Sequence, residues 1–296
     1  MTEVKSKVRK AVIPAGGFGT RLFPATKAIA KELFPIVDRD GIAKPIILAI
    51  AEEAISGGIE QIAIVTRESD RAQFEDFFKT PLSEAFDNKI KPHQKEYVRY
   101  LETVGKRINI LTQPVQDGFG HAVYCAKDWV GTEPFLLMLG DHIYRSTREI
   151  SCARQLVEVY ERVGKSAIGV TVTPAEELYH CGCVAGTWQP ETGLINLSEV
   201  AEKPDLNYAR SHLRVEGLAE NDFLTVFGLY LLTPKIFEIL EQNIRDGRRD
   251  RGEIQLTTAL EQLRQLEGMY GCCLQGECFD TGVPLSYWQS VRDFRL

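Results

Sequence analysis

Residues 8–32 read VRKAVIPAGGFGTRLFPATKAIAKE, a short apolar run followed by a glycine-rich loop and three cations. The apolar run predicts a strand, and the glycines would let backbone N–H groups approach phosphate oxygens. The loop lacks the Gly-Lys-Ser/Thr ending of a Walker loop, and Leu22 breaks the GxGxxG spacing of dinucleotide sites. Arg21, Lys27 and Lys31 favour an anionic ligand, and solvated side chains on a surface loop are the alternative.

The composition argues against two broad classes of partner. The chain has 296 residues and a formal net charge of −6, whereas a protein that binds a nucleic-acid backbone presents a basic face. No apolar run approaches the ~20 residues of a membrane span, and the start MTEVKSKVRK is too polar for a signal peptide. Seven cysteines, an odd number, favour reduced thiols. We therefore expect a cytoplasmic protein without a nucleic-acid or membrane partner.

Strand-like and helical segments alternate through the first half of the chain. Residues 45–58 carry an apolar face with helical spacing and end in two glycines. Short apolar runs bounded by turns predict strands at 8–14, 61–66, 108–113, 135–141 and 166–172. The alternation predicts an α/β, Rossmann-like fold, a mostly parallel sheet with helices on both faces.

The second half is richer in predicted strands and forms a β-rich addition to this sheet. Strands are predicted at 183–189, 194–202 and 223–232, and helices at 234–245, 254–266 and 284–293. No shift in composition marks a linker, so residues 1–296 are expected to form a single domain.

Charged residues follow several of the predicted strands, where ligands bind in open parallel sheets. Asp141 ends the apolar run 135–141, and Asp280 precedes Thr-Gly; each is either a cap or a ligand for a hard cation. Glu202 and Lys203 end a later strand and are either a surface ion pair or contacts for a sugar and its phosphate. Two acidic residues beside a glycine-rich phosphate loop favour a magnesium site.

In chain order these features match the signature of a known family. The sequence resembles the sugar-1-phosphate nucleotidylyltransferases, and most closely their bacterial UTP–glucose-1-phosphate uridylyltransferase group. The likeness covers residues 8–292 and includes a long, specific opening signature. The matching segments are GGFGTRLFPATKAIAKELFP (16–35), QPVQDGFGHAVYCA (113–126), Asp141, Glu202–Pro204, GEIQLTTAL (252–260) and FDTG (279–282).

The resemblance implies roles for residues at the matched positions. The residues implied to hold uracil and ribose are Ala15, Gly16, Gly17, Gln113, Asp117 and Gly118. The catalytic cations implied are Arg21, Lys31 and Lys203. The residues implied to receive the sugar phosphate are His142, Gly182, Glu202 and Lys203. Asp141 and Asp280 are implied to hold Mg²⁺ between the nucleotide α-phosphate and the sugar phosphate.

The resemblance also implies a reaction. Glucose 1-phosphate attacks the α-phosphorus of UTP in line and gives UDP-glucose and pyrophosphate. The sugar phosphate is already ionised, so catalysis needs positioning and charge neutralisation rather than a base. The single domain divides into a nucleotide-binding half, about 8–145, and a sugar-phosphate-binding half, about 165–292. A homo-oligomer, dimer or tetramer, is common in the family.

Two departures from the family pattern bear on substrate choice. Gly140-Asp141-His142 differs from the Pro-Asp-Val of uridylyltransferases and from the Gly-Asp-Asn of thymidylyltransferases, so His142 leaves the preferred sugar open. The charged insertion at 83–107 is longer than thymidylyltransferases typically have and favours the uridylyl group. A solvated helix without a role in specificity is the other interpretation of that insertion.

Three alternatives remain at this point. A thymidylyltransferase would use dTTP, and no residue in the sequence identifies the contact to the ribose 2′-OH that would separate the two activities. A non-catalytic, sugar-nucleotide-binding paralogue is disfavoured, because the metal carboxylates and the phosphate-binding cations are all present. A dinucleotide-dependent oxidoreductase is disfavoured by the broken glycine spacing.

Overall fold

A computed structural model describes residues 7–295, apart from the side chains of Tyr179 and His180; the polar segment 1–6 lies outside the described residues. Within this range the strands, β1 to β13 in chain order, span Lys10–Ala15, Pro35–Val37, Ala43–Pro45, Gln61–Arg67, Ile108–Gln113, Phe135–Met138, His142–Ser146, Ala167–Pro174, Gly182–Gln189, Leu194–Glu202, Asp222–Leu232, Tyr270–Cys273 and Gly276–Asp280. The α-helices, α1 to α11, span Ile46–Ser56, Glu68–Lys79, Glu84–Asp87, Pro92–Arg107, Phe119–Tyr124, Lys127–Val130, Cys152–Val163, Leu206–His212, Lys235–Arg245, Leu256–Glu267 and Pro284–Asp293.

Nine strands form one sheet in the order β5-β4-β1-β6-β11-β8-β12-β10-β9. Strands β5, β4, β1 and β6 are parallel to one another, as the alternation of strands and helices predicts. Beyond β6 the sheet is mixed, because β11 runs antiparallel to both β6 and β8. Strands β9 and β10 are also antiparallel and are joined by a short turn, a connection that parallel strands cannot use. The parallel arrangement predicted for most of the sheet is thus found in the first four strands of this order and again between β8 and β12.

The sheet is buried on both faces, which accounts for the continuous apolar runs of its strands. On β1, Ala11 and Ile13 point to one face, where α1 and α7 supply Ile50 and Leu156. Val12 points to the other face, where helices α5, α9 and α10 cover the sheet. The ligand-binding edge is therefore supported by a core on each side.

Short elements that the sequence did not predict complete the fold. Strands β7 and β13 form an antiparallel pair, and β2 and β3 form a second one. The insertion at 83–107 folds into helices α3 and α4, and the buried residues of α4 are Val104 and Gly105 near its end. This exposure agrees with a solvated helix, and a role in specificity is not tested by it. Among residues 7–295, no helix has both the length and the apolar character that crossing a membrane requires.

Candidate active site

Two acidic residues and a histidine come together where β7 pairs with β13. Asp280, the last residue of β13, lies opposite His142, the first residue of β7, and Asp141 immediately precedes β7. The possible ligand atoms of Asp141, His142 and Asp280 all lie within 4.8 Å of one another. Residues that are far apart in the chain therefore form a cluster that could hold a metal ion.

The segment after β13 holds the two carboxylates in place. The backbone N and the Oγ1 of Thr281 both donate to the carbonyl O of Asp141, each at 2.8 Å. The N of Gly282 donates to Oδ1 of Asp280 at 2.6 Å. A Cβ at position 282 would lie 2.7 Å from Asp141 Oδ2 and 3.0 Å from Asp280 Oδ1. The carboxylates can converge because residue 282 has no side chain.

Lys31 reaches the same cluster from the glycine-rich loop. Its Nζ lies 2.5 Å from Oδ2 of Asp141, and both side chains are largely buried. Burial alone would lower the pKa of Lys31, but the charge of Asp141, the charge of Glu32 and the hydrogen bond to Asp141 together raise the pKa above its usual value. Burial opposes ionisation of Asp141, but the hydrogen bond from His142 and the charge of Lys31 hold its pKa well below the usual range. The pair is therefore fully charged at neutral pH.

His142 supports Asp141 from the other side. Its Nδ1 lies 2.9 Å from Oδ1 of Asp141. Burial lowers the pKa of His142, but the hydrogen bond to Asp141 and the charges of Asp141 and Asp280 together raise it above the usual value. His142 therefore donates to Asp141 through Nδ1, and Asp141 is bonded on both carboxylate oxygens.

Glu32 is a buried carboxyl that the sequence analysis missed. It is 2% exposed, and its Oε2 has no hydrogen-bond partner within the described part of the chain. Burial raises the pKa of Glu32 to about 8, although Lys31, 4.0 Å away, opposes the shift. Glu32 is thus mostly neutral at pH 7, so Asp141 is the main negative partner of Lys31 at that pH. Nothing in its local sequence separates Glu32 from an exposed glutamate.

The glycine-rich loop also brings Arg21 to the cluster. A short 3₁₀ turn at Thr20–Leu22 follows Gly19, whose carbonyl accepts a hydrogen bond from Thr26 Oγ1 at 3.0 Å. An Nη of Arg21 lies 3.4 Å from the position that a Cβ at residue 282 would occupy. Arg21 is exposed and faces the acidic cluster, whereas Lys27 is exposed at the end of the next 3₁₀ turn, Ala25–Lys27.

The residues expected to hold the base also meet. Gln113 ends β5, is 3% exposed and donates from Nε2 to the carbonyl O of Gly118 at 3.2 Å. Its Oε1 lies 2.7 Å from the position that a Cβ on Gly16 would occupy, so Gly16 and Gln113 are in close contact. Gly118 has a φ of 96°, a conformation that favours glycine. The loop after β1 and the segment after β5 therefore form one surface.

His121, within the matched segment 113–126, was not singled out from the sequence. Its Nδ1 lies 2.9 Å from the carbonyl O of Val115 and 3.2 Å from Gln113 Nε2. A carbonyl only accepts, so Nδ1 carries the proton and donates to Val115. His121 thus fixes the turn that follows Gln113.

The carboxylate of Asp117 is engaged by the protein itself. Arg249 donates to both of its oxygens, with Nη2 at 2.7 Å from Oδ2. The hydrogen bond from Arg249 lowers the pKa of Asp117 below its usual value. A direct contact of Asp117 with a nucleotide stays a prediction.

The residues expected to receive the sugar phosphate lie at the paired ends of β9 and β10. Gly182 is directly opposite Glu202. Lys203, with a φ of 43°, has its Nζ 3.2 Å from Glu202 Oε1. Thr257, which the sequence did not indicate as a site residue, donates from Oγ1 to Glu202 Oε2 at 2.6 Å.

Cys181 immediately precedes Gly182, the first residue of β9. Burial raises the pKa of its thiol, and the charges of Glu177 and Asp280 raise it further, while Lys203 lowers it. Strand β11 contacts both groups of residues: a Cβ on Gly182 would lie 3.3 Å from Cγ2 of Val226, and a Cβ on Gly228 would lie 3.4 Å from Cδ2 of His142.

Comparisons with known proteins place this geometry in a family. The profile of a family described as nucleotidyl transferase matches residues 10–295. A UTP–glucose-1-phosphate uridylyltransferase of Streptococcus pneumoniae serotype 4 is 38% identical over 98% of this chain and 91% of its own. A UDP-glucose pyrophosphorylase solved in complex with UDP-glucose is similar with a TM-score of 0.79, at 28% identity over 97% of this chain and 98% of its own. A UTP-bound UGPase from Acinetobacter baumannii has a TM-score of 0.76, at 30% identity over 97% of this chain and 93% of its own.

Proposed function

The chain belongs to the nucleotidyl transferase family, and on that premise we propose that it transfers the uridylyl group of UTP to glucose 1-phosphate. The products are UDP-glucose and pyrophosphate. The observation that carries the proposal is the convergence of Lys31 with Asp141 and Asp280 beside a glycine-rich loop. The names of the relatives, among them a UTP-bound and a UDP-glucose-bound enzyme, support the choice of substrates.

The nucleotide binds between the loop after β1 and the segment after β5. Backbone at Ala15, Gly16 and Gly17 lies against the nucleotide, and the uracil meets Gln113 and Gly118. The Nε2 of Gln113 is bonded to Gly118, so its Oε1 is the atom available to accept the N3–H of uracil. Cytosine lacks this hydrogen, and the contact therefore favours uracil over cytosine.

The sugar phosphate binds on the opposite side of the cluster. Glu202 accepts hydrogen bonds from sugar hydroxyls near Gly182, and Lys203 binds the phosphate. His142 faces this side and contributes to the choice of sugar through its ring edge. These assignments are supported by the pairing of Gly182 with Glu202 and by the contact between Lys203 and Glu202.

The reaction needs no general base. An oxygen of the ionised sugar phosphate forms a bond to the α-phosphorus of UTP, and the bond from that phosphorus to the bridging oxygen of pyrophosphate breaks. Arg21 and Lys31 neutralise the negative charge on the phosphates and hold the attacking and leaving oxygens in line. The chain thus supplies positions and charges rather than a proton acceptor.

The acidic cluster fits a divalent cation. Asp141 and Asp280 offer carboxylate oxygens, the ligands that Mg²⁺ prefers, while Nδ1 of His142 is already bonded to Asp141. We propose that the two aspartates hold Mg²⁺ and that His142 orients Asp141. When bound, Mg²⁺ would neutralise charge on the α-phosphate and on the sugar phosphate.

The assembly and the location of the protein are also proposals. We propose a homo-oligomer, because the family that the sequence resembles is commonly dimeric or tetrameric, and sedimentation velocity would test it. A cytoplasmic location rests on the odd number of cysteines.

The test of the function is pyrophosphate release with Mg²⁺ and a matrix of substrates. UTP, dTTP, ATP, CTP and GTP are each combined with glucose 1-phosphate, galactose 1-phosphate and N-acetylglucosamine 1-phosphate. We expect the highest kcat/KM with UTP and glucose 1-phosphate. A preference for dTTP would assign the chain to thymidylyl transfer, and no release from any pair would contradict the proposed activity.

A further inference from the structure

We propose that residues 249–257, here called the connector, position both substrates, with Arg249 and Thr257 as its two anchors. The inference rests on the proposed function, because it assigns positioning roles in the same site. At its first end the connector is bound to residues 117–120, here called the base segment. At its other end the connector is bound to Glu202, the carboxylate proposed to receive the sugar. Neither Arg249 nor Thr257 is expected to touch a reacting atom.

The first end is joined to the base segment by three separate contacts. Arg249 donates to both carboxylate oxygens of Asp117 and also, from Nη1, to the carbonyl O of Gly252 at 3.2 Å. The N of Ile254 donates to the carbonyl O of Asp117 at 3.0 Å, and the N of Gly120 donates to the carbonyl O of Ile254 at 2.9 Å. Residues 117–120 therefore follow the connector as a second short strand would.

The packing between the two segments leaves no space for a side chain at residue 118. A Cβ on Gly118 would lie 2.7 Å from the carbonyl O of Ile254 and 2.8 Å from Cβ of Glu253. The carbonyl of Gly118 in turn receives the hydrogen bond from Gln113 Nε2. The carbonyl of Gly118 orients the amide of Gln113, and Gly118 packs against the connector. Arg249 therefore influences the base indirectly, through its contact with Asp117 and through the contact of Gly118 with Gln113.

The second end of the connector lies in the first turn of α10. Thr257 Oγ1 donates to Glu202 Oε2 at 2.6 Å, which leaves Oε1 to face Lys203. Farther along α10, Glu261 Oε2 accepts from the N of Val200 at 3.0 Å. The helix therefore holds the end of β10 by side chains on two successive turns, and Thr257 sets the orientation of the sugar carboxylate.

The test at the first end compares R249A with R248A. Arg248 is the matched control, because it lies next to Arg249 and its guanidinium contacts Asp246 instead. We expect R249A to raise the Kd of UTP about threefold to tenfold, as the loss of a bidentate, charge-assisted pair implies. The variant R249K keeps a cation that can bond to Asp117 and should recover part of that loss, whereas R248A should bind UTP as the wild type does.

Hydrogen exchange in the ligand-free protein gives a readout that does not depend on any substrate. We expect R249A, and not R248A, to speed exchange in peptides that contain the amides of Gly120 and Ile254. Unchanged exchange in R249A would show that Arg249 does not hold the connector against the base segment, and this conclusion would not depend on which ligand the protein binds. Faster exchange with an unchanged Kd for UTP would overturn the positioning role. Failure of the wild type to bind UTP would instead refute the proposed function. That outcome is seen with the wild-type protein alone and needs no variant.

The test at the second end compares T257V with T258V, since Thr258 is the exposed neighbour in the same turn. We expect T257V to raise the KM for glucose 1-phosphate about threefold to tenfold while the Kd of UTP stays near its wild-type value. T257S keeps the hydroxyl and should restore the KM. An equal KM in T257V and T258V would overturn the role of Thr257.

Discussion

Nζ of Lys31 lies 2.5 Å from Oδ2 of Asp141, so a proposed phosphate ligand and a proposed metal ligand bind each other in this structure. In the proposed reaction Lys31 contacts phosphate oxygens and Asp141 contacts Mg²⁺. The binding of a metal at Asp141 would therefore free Lys31 for the nucleotide, and the binding of a nucleotide would free Asp141. The two ligands are expected to bind with positive coupling.

Replacement of Lys31 separates these two roles. K31M removes the cation that competes for Asp141, so metal affinity in the absence of nucleotide should rise severalfold. The same variant loses the charge that neutralises the phosphates, and kcat/KM should fall by about 10²-fold or more. Metal titration by calorimetry and steady-state pyrophosphate release measure the two effects. K7Q, at an exposed lysine paired with Glu60, is the control, and a fall in metal affinity in K31M would contradict the account.

His142 is expected to act through Asp141. H142L removes the hydrogen bond to Oδ1 of Asp141 and should weaken metal binding about tenfold to a hundredfold, as the loss of a partner of a metal ligand commonly does. H142N places an amide N–H near the position of Nδ1 and should retain most of the affinity. Metal titration of both variants tests the role, and equal affinities for H142L and H142N would argue against it.

Gly282 is predicted to be a steric requirement of the metal cluster. In G282A the new Cβ would lie 2.7 Å from Asp141 Oδ2, a distance that real Cβ atoms do not show, so the carboxylates must separate. We expect loss of metal affinity and of turnover with a Tm close to that of the wild type. Calorimetry and thermal unfolding test this, and normal metal binding in G282A would show that the carboxylates do not converge on one ion.

Glu53 predicts a pH dependence of stability away from the active site. It lies on α1, and its Oε1 accepts a hydrogen bond from the N of Ala153 at 2.8 Å. Burial raises the pKa of Glu53 to about 7 from the ordinary value of 4.5. Between these two values the folded protein binds more protons at Glu53 than the unfolded chain does. Its contribution to the free energy of unfolding therefore falls as pH rises from about 4.5 to about 7.

The variant E53Q isolates this contribution, because glutamine keeps the acceptor and does not titrate. Relative to the wild type, E53Q should gain up to about 3 kcal/mol in the free energy of unfolding between pH 5 and pH 8. Urea unfolding at both pH values measures the difference. E191Q, at an exposed glutamate, is the control, and a constant difference between E53Q and the wild type would show that Glu53 does not titrate in this range.

The sequence was sufficient for the parts of the fold that depend on apolar periodicity. The predicted strand at 61–66 corresponds to β4, and the helix predicted at 234–245 corresponds to α9. The pairing of β11 with both β6 and β8 was not predictable, because a fully buried strand looks the same in parallel and antiparallel sheets. Strands β7 and β13 were not predicted for a different reason. Each is five residues long and mixes polar with apolar side chains, so neither shows a clear apolar run.

The site was predictable where the chemistry fixes the residue type. Carboxylates for a cation and lysines for phosphates stand out at strand ends, and the structure brings Asp141, Asp280 and Lys31 together. Glu32 and Thr257 were missed, because their roles come from burial and from a partner that is distant in sequence. Asp117 shows the same limit: the sequence singles out the carboxylate, and only the fold shows that Arg249 binds it.

The most direct test of the account is the initial rate of pyrophosphate release from UTP and glucose 1-phosphate, with Mg²⁺, for the wild type and for D141N. The wild type should turn over with a kcat on the order of 1 to 10³ s⁻¹, and D141N should be slower by at least about 10²-fold. The UDP-glucose formed should equal the pyrophosphate released. A wild type that releases no pyrophosphate, or a D141N variant as fast as the wild type, would contradict the account.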